Sequence, residues 1–383
     1  MAKYVHRRLE KLLKKAFNQF SCVILCGARR CGKSTLVKYG FPGLKYASLD
    51  KLNIVNFAKN DPEGFLKEYK YPVIIDEIQE CPELLNYIKA IVDEKRKKGM
   101  FIITGSQQFS LMEGVQESLA GRSCILDLST FSFCELNISN EWSSYAYNGS
   151  YPEIMLNKSI DRDLWYSSYI RTFIDRDVTK HLKEKNIYQY ERFISLLASR
   201  FTQLLNFSDI SKELGVDLKT VQTWLSFLIR SQIVFLLPPY FNNLGKRITK
   251  TPKLYFFDTG LVASLTGYKS KEQLKNGPLA GVFFENLFIS DLMKQNFSLA
   301  KRKNLFFFRE NNGLEIDLII DDPIKPAFIE IKSAQTPTLR HTENLVKLRK
   351  GLRAKPDLYL ISPNENEITM NSVRFKNYLN FKI

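Results

Sequence analysis

Histidine is scarce, with three in 383 residues, and the six cysteines, at positions 22, 26, 31, 81, 124 and 134, never form a C-x-x-C pair. A structural zinc site needs closely spaced thiolates and imidazoles, so none is expected. Several cysteines lie in apolar runs such as "SCVILCG". There a free thiol serves as a small buried hydrophobe, and the expected compartment is reducing. No apolar stretch approaches the length of a membrane span. The amino-terminal "MAKYVHRRLEKLLKKAF" is basic and amphipathic, but no long apolar segment or small-residue cleavage site follows it. The expectation is a cytoplasmic chain with no membrane partner. Internal repeats and low-complexity tracts are absent as well. Acidic residues are outnumbered, 40 against 56 Lys plus Arg, for a net charge of +16. That excess attracts polyanions such as nucleic acid, nucleotides or an anionic surface, although a soluble protein of a lysine-rich proteome carries it too.

What is present is ample apolar material: 44% of residues are hydrophobic and 13% aromatic. A chain of this length and composition divides into two or three domains, each with its own core. Across residues 21–136, short apolar runs ("CVILC", "LKYASL", "PVIID", "MFIIT", "CILDL") alternate with helical patterns. That is the pattern of an α/β domain whose parallel sheet is covered on both faces. A loop-rich stretch, "NEWSSYAYNGSYPEIM", follows, and helical patterning then runs to about residue 200. "FSDISKELGVDLKTVQTWLSFLIRSQIVFLL" reads as a helix–turn–helix, with Gly215 stopping the first helix, Asp217 capping the second and "IVFLLPPY" as a wing strand. The remaining third reads as a second α/β domain. The expected boundaries are 1–136, 137–205, 206–242 and 243–383.

The string "GARRCGKST" matches G-x-x-x-x-G-K-[ST]: Gly27, Ala28, Arg29, Arg30, Cys31, Gly32, Lys33, Ser34, Thr35. Glycine lets the backbone N–H groups wrap phosphate oxygens; Lys33 would reach the β and γ phosphates and the Ser34 hydroxyl would ligate Mg2+. A strand before the loop and a helix after it supply the context such a Walker A loop needs. "YPVIIDEIQECPEL" ends an apolar strand in Asp76-Glu77, a Walker B arrangement. Asp76 would hold Mg2+, directly or through water, and Glu77 would orient and deprotonate the attacking water. An ordinary solvated strand end is the alternative. In "MFIITGSQQF", Ser106 is the candidate γ-phosphate sensor, and Arg122 in "SLAGR" is a candidate arginine finger or sensor, a finger acting in the same chain or from a neighbouring subunit, or simply a surface arginine.

An extra strand, "LKYASLD", comes between the loop strand and the Asp-Glu strand, an arrangement that resembles AAA+ and related signalling ATPases. More specifically, the chain resembles a bacterial and archaeal family of AAA-like ATPases with a carboxy-terminal domain of unknown function. The resemblance spans nearly the whole chain through "GARRCGKST", "VIIDEIQECPEL", "IITGSQQF", "SLAGR", "GSYPEIM", "YIRTFIDRDV", "YFFDTGL", "FFENLF" and "EIDLII…FIEIKSA". It implies ATP binding with Mg2+ and slow hydrolysis. Arg29 and Arg30 agree with the family pattern, their side chains pointing outward or adding charge near phosphate.

"LEIDLII" and "AFIEIKSA" raise a second site. Glu330 and Lys332 share one face of a strand, and a neighbouring strand would bring Asp317 beside them. Two carboxylates bind a hard divalent metal, Mg2+ or Mn2+, and the lysine stabilises charge. Glu285 in "FFENLF" sits where a helical carboxylate would complete the set. The pattern resembles the PD-(D/E)xK core of restriction-endonuclease-like folds, which serves with or without cutting; polar residues on an alternating strand are the plain alternative. Lys219, Thr220, Gln222 and Thr223 of the second helix suit DNA contact, and a winged helix packed between two domains suits them as well. The function expected is thus an ATP-dependent nucleotide switch acting on DNA. Its rivals are an ATP-gated metal-dependent nuclease, a DNA- or protein-binding regulator with negligible turnover, and, ranked last, a chaperone-like role. A homo-oligomer is compatible with each.

Overall fold

A computed structural model describes residues 4–105, 119–136, 139–173, 187–240, 251–310, 313–350 and 355–383. Five strands, β1 (Cys22–Gly27), β2 (Lys45–Ser48), β3 (Val73–Asp76), β4 (Phe101–Gly105) and β5 (Ser123–Leu128), form one sheet in the order β2-β3-β4-β1-β5. All its pairings are parallel. The six residues of β1 are all buried, and they alternate between two cores: Cys22, Ile24 and Cys26 on one face, Val23 and Leu25 on the other. A strand buried on both faces needs helices on both faces, as the continuous apolar runs predicted. The strand "LKYASLD" lies at the sheet edge, and β4 is the one inserted between β1 and β3. The carboxyl ends of β1, β4 and β3 therefore stand side by side.

The middle of the chain is helical, with helices Trp142–Asn148, Pro152–Leu156, Arg162–Phe173 and Ile187–Ser199 leading to the pair Phe207–Leu214 and Leu218–Arg230. Gly215 ends the first of that pair at φ 66°, and the Asp217 carboxylate caps the second by accepting from the Thr220 N–H at 2.8 Å, both as expected. The stretch expected to form a wing holds strand β6 (Val234–Leu237), which pairs antiparallel with β7 (Lys253–Phe256). The expected boundary at 242/243 thus falls between two strands that belong together. The third sheet holds β8 (Asn304–Arg309), β9 (Glu315–Asp321), β10 (Ala327–Ile331), β11 (Asp357–Ser362), β12 (Ile368–Met370) and β13 (Val373–Asn377), in the order β12-β13-β11-β10-β9-β8. β8, β9 and β10 form an antiparallel meander, after which β10, β11 and β13 run parallel. One large core joins the middle helices to this sheet through helix Ala280–Phe297 and includes Trp142, Trp165 and Trp224.

That helix also meets the first domain. The Asp291 carboxylate, fully buried, accepts from the Phe133 N–H at 2.6 Å and from Gln295 at 2.7 Å. Burial nonetheless pushes Asp291 up to about 6, despite these bonds and the neighbouring Lys294 ammonium; Glu135 adds to the rise. A raised carboxyl keeps its proton in the folded state over a window, from about 4 to about 6, where the unfolded chain has lost it. Stability at this contact therefore falls as pH rises through the window. Asp291→Asn, which removes the titration and keeps an acceptor for Phe133, is expected to raise stability at pH 7.5 by about 2 kcal/mol. Thermal melts of both proteins from pH 4.5 to 7.5 check this; parallel curves would overturn it.

Candidate functional site

The loop after β1 adopts the geometry the glycines allow. A Cβ on Gly27 would lie 2.1 Å from the Leu128 carbonyl oxygen, and Gly32 sits at φ 97°, so neither position tolerates a side chain. Gly32 leads directly into helix Lys33–Gly40, whose N-terminus points at the loop. Lys33 is buried, and its ammonium donates to the carbonyl oxygens of Gly27 and Ala28, both at 3.0 Å. It is thus held inside the loop by two neutral acceptors, which a phosphate oxygen outcompetes as a charged one. The Arg7 guanidinium clamps the loop from behind, donating to the carbonyls of Cys31 (2.9 Å) and Ser129 (2.7 Å) and pairing with Glu135 at 3.0 Å. Arg30, at φ 58°, reaches Glu153 at 2.6 Å, in the "GSYPEIM" segment, so its charge faces the middle helices.

Asp76, at the tip of β3, is buried and accepts from two hydroxyls, those of Tyr46 on β2 and Thr104 on β4. Thr104 also accepts from the Glu77 N–H at 3.2 Å, so one side chain ties both acidic residues to the strand beside the loop. Thr104 and Tyr46 were missed from the sequence; the threonine closing the run "FIIT" was the available signal. Burial, the hydrogen bond to Asp76 and the Asp76 charge push the Tyr46 phenol well above its usual range, and bonds with Ser48 and Ser34 act the other way. Ser34 and Asp76 therefore converge on one phenol. Their hydroxyl and carboxylate oxygens are hard ligands that suit Mg2+, which in nucleotide sites takes one or two protein oxygens and fills its shell with phosphate and water. No three His, Cys, Asp or Glu side chains among the described residues converge as a metal site on their own.

Glu77 stands at φ 59°, a left-handed conformation rare for a non-glycine residue, and its carboxylate accepts from Gln79. It lines a cavity of about 340 Å3 with Arg29, Arg30, Lys33, Tyr169, Thr172 and Phe173. On the other side of the loop a more apolar cavity of about 370 Å3 is lined by Tyr4, Tyr39, Thr35, Gly32, Phe131, Pro152 and neighbours. Tyr4 and Tyr39 stack there with ring centres 4.3 Å apart.

Residues 19–137 match the family model of an AAA domain. The first domain is an AAA-like P-loop domain. Residues 139–272 match a domain of unknown function (DUF8612) and residues 280–380 another (DUF4143). An uncharacterized protein of Mycobacterium tuberculosis is 28% identical over 85% of this chain and 74% of its own length; one of Haemophilus influenzae is 22% identical over 86% and 87%. Among solved structures, the Walker-type ATPase of Pyrococcus abyssi is 14% identical with a TM-score of 0.44, over 68% of this chain and 95% of its own. A signal transduction ATPase with numerous domains from Pyrococcus horikoshii is 13% identical at TM-score 0.24, over 76% and 48%.

Of the two further residues expected of the AAA-like domain, one lies outside the described residues and the other stands away from this site. Ser106 lies outside the described residues. Arg122 pairs with Asp93 and donates to the Ala120 carbonyl at 3.0 Å. It immediately precedes β5, whose first residue, Ser123, stands level with Cys22 at the amino end of β1. Five residues of strand, about 17 Å, separate that level from Gly27. The parallel register thus puts Arg122 at the end of the sheet away from the loop of its own chain. The cysteines conform to expectation: all six are free, and Cys22, Cys26, Cys31 and Cys81 are buried.

In the third sheet, Asp317 Oδ2 accepts from the Ile331 N–H at 2.8 Å and from Lys332 Nζ at 3.3 Å, and Lys332 donates to Glu330 at 2.9 Å. The three expected residues therefore converge. Burial and the adjacent Asp317 carboxylate push Glu330 up to about 9. Asp317, also buried, is held below the usual range by Lys332 and Lys253. Glu285 is nearby but turned to other partners, accepting from Tyr255 at 2.7 Å and Lys253 at 3.4 Å. Lys253, which the sequence did not single out, also pairs with Glu315 at 2.6 Å and neutralises this acidic cluster from within. On helix Leu218–Arg230, Lys219, Gln222 and Thr223 are exposed; Thr220 is half-buried with its hydroxyl donating to Asp217 at 2.6 Å, and the Thr223 hydroxyl donates back to the Lys219 carbonyl at 2.8 Å.

Proposed function

We propose that the protein binds and slowly hydrolyses ATP with Mg2+, and that this cycle switches its helix–turn–helix and carboxy-terminal modules on DNA. The observation that carries the reading is the convergence of Lys33, Ser34, Asp76, Glu77 and Thr104 at the adjoining ends of β1, β3 and β4. The base lies against Tyr39 and Phe131 in the apolar cavity, and the phosphate chain crosses Gly32 toward Glu77. Lys33 exchanges two carbonyl contacts for phosphate oxygens. Bound at Ser34 and Asp76, Mg2+ would neutralise the phosphate charge. Glu77 takes the proton of the attacking water, and the Thr104 bond to its N–H holds it in place. The +16 charge and the exposed face of helix Leu218–Arg230 support DNA as the partner.

The test is ATP turnover with and without duplex DNA. Turnover stimulated by DNA in the wild type and lost in Lys33→Ala is expected; no turnover under either condition would overturn the reading. A second reading, a metal-dependent nuclease, is favoured by the Asp317, Glu330 and Lys332 cluster beside a cavity of about 400 Å3. Cutting of the same DNA with Mg2+ or Mn2+, abolished by Asp317→Ala, would support it. No cutting leaves that domain a binding scaffold.

A further inference from the structure

Gln232 follows helix Leu218–Arg230 in the turn that leads to strand β6. Its backbone stands at φ 54°, left-handed for a residue with a full side chain, and only 4% of its surface is exposed. The side chain leaves its own module and reaches the Walker loop, where Oε1 accepts from the Ala28 N–H at 3.3 Å. The other half of the amide, Nε2, is buried with no hydrogen-bond partner among the described residues. Because the Ala28 N–H fixes which end of the amide is the acceptor, the end left over must be the donor. A buried, unpartnered N–H2 group beside a phosphate loop is complementary to an anion.

Its position along the loop narrows the ligand. Ala28 is one of the two residues whose carbonyls hold the Lys33 ammonium, and Lys33 lines the cavity that contains Glu77. The Gln232 amide thus meets the loop at the residue whose carbonyl holds the Lys33 ammonium, Lys33 being the loop lysine that faces Glu77, and it is not among the residues lining the apolar cavity on the Gly32 side. That placement suits the terminal phosphate.

We propose that Gln232 is a phosphate-binding residue lent by the helix–turn–helix module, whose Nε2 donates to the terminal phosphate of a bound nucleoside triphosphate. The proposal rests on the reading of the loop as a nucleotide site. It makes the module a sensor in the same chain: a triphosphate gains the Nε2 bond and a diphosphate does not, so the seating of helix Leu218–Arg230 on the loop depends on which is bound. The module so coupled is the one that presents Lys219 and Gln222 to solvent.

The experiment is titration of the full chain with fluorescent ATPγS and fluorescent ADP, both with Mg2+. Gln232→Leu is expected to weaken ATPγS roughly tenfold or more, the worth of one hydrogen bond to a charged acceptor, and ADP by less than about threefold. Gln232→Glu keeps an acceptor for the Ala28 N–H, removes the donor and adds a negative charge, so its loss for ATPγS exceeds that of the leucine variant. A structural anchor alone would weaken both nucleotides alike, and equal losses or no loss overturn the proposal. In the wild type, amide exchange across residues 228–237 is expected to slow with ATPγS more than with ADP; identical exchange overturns it independently of any variant. A wild type that binds neither nucleotide overturns the nucleotide reading itself.

Discussion

Glu77→Gln is expected to lower kcat for ATP hydrolysis by about 10²–10⁴-fold, the usual contribution of a positioned general base, while ATP affinity stays within about threefold of wild type. The amide keeps the size and the left-handed backbone of Glu77 and accepts from Gln79 as the carboxylate does, but it cannot take a proton. The bond to the Thr104 hydroxyl is donated by the Glu77 backbone N–H and survives the change. Loss is therefore expected in the chemical step and not in binding, which the proposed site assigns to Lys33 and the loop N–H groups. Single-turnover hydrolysis beside equilibrium binding separates the two. A variant that turns over at the wild-type rate would remove Glu77 as the base.

Asp258→Ala is expected to destabilise the helical body by about 3–5 kcal/mol, among the largest costs a single substitution carries. Asp258 is 2% exposed and accepts from the Ser150 N–H (2.6 Å), the Ser150 hydroxyl (3.0 Å), the Tyr166 hydroxyl (2.6 Å) and the Leu261 N–H (2.8 Å). Three stretches of chain, "GSYPEIM", helix Arg162–Phe173 and "YFFDTGL", are thus fastened to one carboxylate. The packing is so close that a Cβ on Gly149 or Gly260 would lie 2.0 or 2.3 Å from the Tyr166 hydroxyl. Alanine leaves the Ser150 and Leu261 N–H groups without their acceptor, while the Tyr166 and Ser150 hydroxyls fall back on the Asn148 carbonyl at 3.0 Å and Thr130 Oγ1 at 2.9 Å. All three tryptophans, Trp142, Trp165 and Trp224, lie in the core of this body, so their fluorescence during urea unfolding reports it directly. The midpoint should fall with the slope unchanged. A shift worth less than about 1 kcal/mol would show that the donors find other acceptors.

Features governed by short-range rules were legible in the sequence. The loop "GARRCGKST", the strand ending in Asp76-Glu77, the Gly215 stop and the Asp217 cap depend on backbone geometry within a few residues, and the structure has each of them. The alternation of Asp317, Glu330 and Lys332 along two strands likewise predicted their convergence, because the strand period is two. What depends on how elements dock was not legible. Strand order inserts β4 between β1 and β3, and that alone makes Thr104 the residue joining Asp76 to Glu77. Parallel register sends Arg122 to the far end of the sheet. Docking of β7 brings Lys253 into the acidic cluster and diverts Glu285, and docking of the helix–turn–helix sets Gln232 on the Walker loop. Local pattern singled out the residues proposed for the chemistry of phosphate and proton transfer. Tertiary structure decided which of them meet, because strand order and module docking are set by surfaces far apart in the chain, on which periodicity and capping place no constraint.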